Sequence, residues 1–291
     1  MKAALNSLLL LAIASAAFVS CQQEINRDGF RDPALDSSNV TGIITLDTNF
    51  PSSRDTSNKF VFTYDDSKRL SVCLFTGYTT GVPQPAPVTF IRKMTYRYAG
   101  ASVVPERILD EYQDFLIPSK SYVDSTWFTY NGDFISKDTS GTSNNFIVTE
   151  FIKLSPNKYK MYRKRPDISG VGVFIDTTYS FVNWSSGNLV NEIDSLWQQY
   201  IPGWDAKEAV MTYDIRDNPL KNLCLHYPNP VKANTRKFPI ELVAFSTTNN
   251  LLTRLDNTGI YAISYVYGKN ELPKISTDTR GIKRIFQYTK L

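Results

Sequence analysis

Thr126-Trp127-Phe128-Thr129-Tyr130-Asn131-Gly132-Asp133-Phe134-Ile135 is the stretch that decides the fold. Aromatic and β-branched residues alternate through its first half, which suits a pleated, half-buried surface. Asn131-Gly132-Asp133 then offers residues that accept left-handed backbone or bond their own main chain, and a second apolar run follows. This is a strand, a turn and a returning strand. The same order recurs in Phe60 to Asp66 followed by Lys68-Arg69-Leu70, in Val210 to Asp214 followed by Asn218-Pro219-Leu220, and in Ile263 to Gly268 followed by Leu272 to Ile275. Fainter copies are Thr95 to Gly100, and Tyr179 to Trp184 followed by Ser185 to Leu189. Copies lie about 30 to 50 residues apart, as repeated hairpins of uneven length do. The expectation is an all-β chain, an antiparallel meander of about 10–14 strands forming a strongly curved sheet or a partly closed barrel.

Leu189, Ile193, Leu196, Trp197 and Tyr200 have helical spacing. Strand alternation fits them too, with Leu189, Ile193 and Trp197 on one face, and the hairpin repeat favours the strand. Residues 238–248 could hold a short helix or 3₁₀ turn. Pro83, Pro85 and Pro87 exclude a central strand over residues 81–87.

Tyr64-Asp65 with Arg69-Leu70, Tyr213-Asp214 with Asn218-Pro219, and Thr248-Asn249-Asn250 resemble landmarks of an uncharacterised family of envelope lipoproteins with a porin-like β fold. The tyrosine–aspartate units also resemble the YD repeats of RHS-type proteins. The resemblance covers about residues 40–291. It implies a many-stranded curved sheet or partly closed barrel, and no catalytic residue. A membrane-spanning barrel needs unbroken apolar rows on its lipid side. The row Phe146, Val148, Glu150, Ile152, Leu154 is interrupted, and a sheet with one wet face is the expected form.

The first 20 residues read as a lipoprotein signal. Lys2 is the positive start, Leu8 to Ala17 the apolar segment, and Phe18-Val19-Ser20 precedes Cys21, the residue to be acylated. Phe18 stands where such signals usually carry Leu. Cleavage after Ala14-Ser15-Ala16, as in an ordinary secretory signal, and an uncleaved N-terminal anchor are the alternative readings. Residues 21–39 form an acylated Cys and a polar tether that cannot bury enough surface to fold, and residues 40–291 form the β domain. Gln22 in place of Asp favours the outer membrane. Partners expected are therefore a membrane, reached through the lipid anchor, and a glycan or peptide ligand.

Signal cleavage removes Lys2 from the 32 basic residues, leaving 31 against 28 acidic ones. Arg163-Lys164-Arg165 and Lys232 to Lys237 are short solvated runs, so no nucleic acid is expected. Cys73 and Cys224 sit among apolar strand residues and read as buried free thiols, with a disulfide between them, which an oxidising compartment permits, as the alternative. His226 is the single histidine and precedes Tyr227-Pro228-Asn229-Pro230, a loop signature. No nucleophile elbow and no zinc spacing occur, so no cofactor is expected. Asp65 and Asp66, and Asp214, Asp217 and Asn218, could offer calcium oxygens but read as turn residues. Asp110, Glu111, Glu150, Glu192 and Asp194 would be the carboxylates of a glycan-active enzyme, and nothing but charge marks them. The expected function is a binding or scaffolding lipoprotein, not an enzyme. A structural lipoprotein that pairs a sheet edge with a partner protein is the alternative. Trp127, Trp184, Trp197 and Trp204 are the candidate ligand-stacking residues, with Trp204 expected in an exposed turn.

Overall fold

The computed structural model describes residues 39–47, 56–79, 86–132, 134–142, 145–166, 173–198, 201–221, 247–256, 259–269 and 271–289. Sixteen strands follow in order: β1 Asn39–Asp47, β2 Thr56–Tyr64, β3 Leu70–Tyr78, β4 Val88–Tyr98, β5 Pro105–Asp114, β6 Tyr122–Asn131, β7 Phe134–Thr142 and β8 Asn145–Ser155. Then come β9 Lys158–Pro166, β10 Val173–Ser185, β11 Asn188–Gln198, β12 Ile201–Asp217, β13 Asn249–Asp256, β14 Gly259–Tyr267, β15 Pro273–Asp278 and β16 Ile282–Thr289. Each pairs antiparallel with its neighbours in sequence, and β1 pairs β16, so the sheet closes into one barrel. The meander is as expected. It has more strands than the 10–14 expected, and its closure is complete.

The tyrosine repeat has a structural cause. At the barrel end that holds Asn39 and Thr289, an extra residue bulges from the strand that leaves each of several hairpins. Ser71 is skipped between the pairs Thr63↔Val72 and Tyr64↔Leu70. Glu106, Val190, Leu252 and Lys274 are skipped in the same way on β5, β11, β13 and β15, and Thr41 on β1. A bulge disrupts the ladder and leaves the backbone beside it without its regular partner. A tyrosine on the following even strand supplies one. The Tyr64 hydroxyl donates to the Val40 carbonyl at 2.7 Å, Tyr98 to Leu70 at 2.8 Å and Tyr130 to Pro105 at 2.8 Å. Tyr213 donates to Leu189 at 2.7 Å, Tyr265 to Leu251 at 3.2 Å and Tyr288 to Pro273 at 2.7 Å. Every acceptor immediately precedes a bulged residue. Trp184, next to last on β10, stands where the other copies have Tyr; its indole N–H is buried without a hydrogen-bond partner.

The same bulges increase local twist, and twist curls a long meander until its ends meet. The β10–β11 turn shows how tightly it is made. Ser186 and Gly187 both have positive φ, as a two-residue hairpin of the type I′ class requires. A Cβ on Gly187 would run into the Thr248 hydroxyl, so Gly187→Ala would strain both backbone and packing.

These six phenols are removed from water, and burial raises their pKa values, that of Tyr98 to about 12. Unfolded tyrosine ionises near pH 10. A group held neutral in the fold but free to ionise in the open chain stabilises the fold fully below that unfolded value. Stability is therefore expected to be flat up to about pH 10 and to fall as the pH climbs from there towards 12. Urea midpoints measured across that range check it, and a midpoint that does not fall above pH 10 contradicts it.

Inside, the side chains divide by height. Towards the end with the termini, Phe60, Phe62, Leu70, Cys73, Met94, Tyr96, Ile108, Phe128, Ile135, Phe151 and Met161 form one apolar cluster, joined by Leu220 from just after β12. A second cluster gathers Tyr159, Val182, Leu189, Ala209, Met211 and Leu251. Towards the opposite end, here called the mouth, the inward positions turn polar. Arg92, Asp110, Asp138, Thr178, Asp194, Asp278 and Arg284 are all buried there. On β10 the pattern is inverted: Asp176, Thr178 and Ser180 are buried while Ile175 and Phe181 are exposed. The expected division into one wet face and one apolar face therefore does not hold over the whole wall. Cys73 is a buried free thiol, and burial raises its pKa to about 12.

Residues 188–198 are strand. The bulge at Val190 puts Leu189 inside, at 1% exposure, and Ile193 outside, at 40%, so the two do not share a face as alternation alone suggests. Trp204 lies within β12 and not in a turn, because that strand runs through Gly203 to Asp217. Asn218-Pro219-Leu220 forms a turn after β12, with the Lys221 N–H donating to the Asn218 carbonyl at 3.2 Å, and is not a returning strand. Pro87 stands outside strand, as expected of the proline run. Cys21, Cys224, His226 and residues 238–246 lie outside the described residues.

Candidate functional site: an aromatic ladder at the barrel mouth

Five inward rings form a continuous ladder across β2 to β6. Phe60 stacks on Phe75 with centroids 4.3 Å apart, and Phe75 meets Phe90 edge-on at 5.0 Å. Phe90 lies 5.6 Å from Tyr112, and Tyr112 stacks on Tyr122 at 5.2 Å. Such pairs contribute beyond the area they bury. The sequence produces the ladder by strict alternation, since Phe60↔Phe75, Gly77↔Phe90 and Tyr112↔Tyr122 are register partners on one face. Gly77 is required: a Cβ there would enter the Phe90 ring. The ladder starts buried at Phe60 and ends at Tyr122, which is 40% exposed at the mouth.

Polar groups stand beside the rungs. Arg92 lies on β4 in the row that joins Phe75 to Tyr112. Its Nε and Nη2 donate to the two Asp110 carboxylate oxygens at 2.8 and 2.6 Å. The Tyr122 hydroxyl donates to Asp110 at 3.4 Å, and Tyr112 to Asp114 at 3.1 Å. Burial, opposed by the Arg92 charge and reinforced by Asp110, pushes the Tyr122 phenol up to about 12. Both tyrosines are thus neutral hydrogen-bonding groups over the whole physiological range. Flat ring faces beside a guanidinium–carboxylate pair can stack on an apolar plane while bonding the hydroxyls or amides at its rim.

The four tryptophans do not gather at this site. Trp127 is on the outer wall, 46% exposed, with the Arg107 guanidinium 5.0 Å from its ring centroid. Trp184 faces inward near the other end, 5.9 Å from Phe134. Trp197 and Trp204 are register partners on β11 and β12. Of the carboxylates, only Glu192 and Asp194 share a strand and a face. Asp110 is held by Arg92; Glu111 and Glu150 are on the outer wall, each 3.3 Å from a lysine, Lys93 and Lys137. Glu192 and Asp194 are buried on the inner face of β11. Asp65 is bonded to the Arg69 backbone and side chain, and Asp214 to Arg216, Asn250 and Tyr267, as turn and cross-strand partners.

Sequence reading missed Phe90, Tyr112 and Tyr122 because it ranked tryptophans first. The usable signal is Tyr112 and Tyr122 on either side of a turn that runs from Asp114 to Ser121.

No family model matches the sequence, and no curated protein matches it. Among solved structures the chain is similar to a porin-like protein from Bacteroides uniformis. The identity is 10% and the TM-score 0.49, over 86% of this chain and 98% of that one.

Proposed function

We propose that this chain is a cell-envelope lipoprotein, acylated at Cys21, whose barrel binds a glycan at the mouth ladder without turning it over. The observation that carries the ligand reading is the ladder itself, whose rungs pass from buried Phe60 to exposed Tyr122 beside Arg92 and Asp110. Mid-wall charges on the outside support a barrel that stands in water at the end of its tether. Lys93–Glu111 and Lys137–Glu150 sit there, and Lys158, Lys160, Tyr162 and Lys164 make up the outward row of β9. A lysine facing lipid at mid-bilayer would cost about 2–4 kcal/mol. Resemblance to the envelope lipoprotein family belongs to the same reading.

The test is titration of the purified protein with a panel of envelope glycans, followed by intrinsic fluorescence. A binding glycan is expected, and Tyr122→Ala should weaken it on the order of tenfold, the loss of one stacked ring. A silent panel, or an unchanged affinity in Tyr122→Ala, overturns the ligand reading. The scaffolding alternative has to use the outer wall, since closure leaves no sheet edge to pair. Exposed Val210, Leu255 and Ile260, register neighbours on β12 to β14, are the surface it would use.

A further inference from the structure

Directly above the ladder, the β5–β6 connection carries Phe115, Leu116 and Ile117 in sequence, 45%, 71% and 43% exposed. Val123, at 61%, continues the patch at the start of β6. Water would ordinarily draw three adjacent apolar residues back onto the wall. Here the backbone holds them out. One Asp114 carboxylate oxygen accepts from the Leu116 N–H at 2.9 Å and the Ile117 N–H at 2.7 Å. The Asp114 N–H donates to the Ser121 hydroxyl at 2.9 Å, and the Phe115 N–H to the Thr89 carbonyl at 2.9 Å. A 3₁₀ turn, Pro118–Lys120, closes the tip. The backbone bonds hold Asp114 below the usual carboxylate range, so this clamp is charged and formed at neutral pH.

We infer that this tip inserts into the interfacial layer of a lipid bilayer. The tip is preformed by these bonds, so it loses little conformational freedom on entering an apolar layer. Lys120 stands beside it, suited to anionic headgroups. The occupant follows from the chain that precedes the barrel, and here the inference rests on the acylated-envelope reading above. Cys21 to Asn39 can extend about 60 Å, at about 3.3 Å per residue. A ten-residue strand such as β5 spans about 33 Å. A tether of that length exceeds the height of the barrel wall, so it can bring the tip to the membrane that holds the anchor.

The experiment uses the full mature chain carrying Cys21→Ser, so that no acyl group contributes, and vesicles of phosphatidylcholine with phosphatidylglycerol. Flotation of this chain is expected. Phe115→Ser/Leu116→Ser/Ile117→Ser should lower the floated fraction on the order of tenfold with an unchanged thermal midpoint. Equal flotation of the triple variant, or no flotation of the Cys21→Ser chain, overturns the proposal. Photo-crosslinking from position 116 in intact envelopes that captures a protein and no lipid also overturns it. Mass spectrometry of Cys21 in the native protein reads the anchor separately: an unmodified Cys21 with a floating tip removes the anchor alone.

Discussion

A barrel carrying phenylalanine at Tyr64, Tyr98, Tyr130, Tyr213, Tyr265 and Tyr288 together is expected to lose about 6 kcal/mol of unfolding free energy. Each hydroxyl satisfies a carbonyl beside a bulge. An intramolecular hydrogen bond is worth about 1 kcal/mol net, and a buried acceptor left alone costs about 1–3. The ring itself remains in every variant, so the loss isolates the hydroxyl. Six such losses approach the whole stability of a typical domain, about 5–15 kcal/mol. Urea unfolding of the single variants and of the combined one gives the numbers. Single variants indistinguishable from the parent would show that the tyrosines only fill space.

The second large effect concerns Arg92 and Asp110. Their side chains are 9% and 11% exposed and bonded through both guanidinium and carboxylate arms. Asp110→Ala leaves the guanidinium buried without its carboxylate, and the expected loss is about 3–5 kcal/mol. Arg92→Ala does the same to the acid. Replacing both by apolar residues of similar volume, Arg92→Met with Asp110→Leu, is expected to recover most of that loss, since two desolvated charges disappear together. Thermal or urea midpoints of the three variants form the cycle. If the double variant is as unstable as the singles, the pair is not acting as a coupled unit. The double variant also bears on function, because it keeps the ladder and removes the polar groups beside it. Retained fold with lost glycan affinity is the expected combination.

Much of the architecture was legible in local chemistry. Tyr130-Asn131-Gly132 and its copies carry strand, stop and turn within ten residues, so the hairpins could be found without knowing their partners. Closure was less legible. It depends on twist summed over sixteen strands, and the bulges at Ser71, Glu106 and Val190 leave no mark that a period-two pattern can detect. One inserted residue reverses every later side chain, so Leu189 and Ile193, which simple alternation puts on one face, stand on opposite ones. The inversion on β10 hid the inner face as well, because Asp176, Thr178 and Ser180 look like solvent residues in a linear reading. The ladder was illegible for a different cause. Phe75, Phe90, Tyr112 and Tyr122 come from separate strands, and only register brings them into line.

The seam between β1 and β16 has a consequence for biosynthesis. Fifteen of the sixteen ladders join segments adjacent in the polypeptide and can zip locally, whereas the last joins Ile43 to Phe286. Loop closure over that separation is slow, and until it happens the nascent chain presents two raw edges open to other chains. A protein stalled or truncated before Ile282 would keep them, which makes a premature stop codon near the 3′ end more hazardous to the cell than its few missing residues suggest.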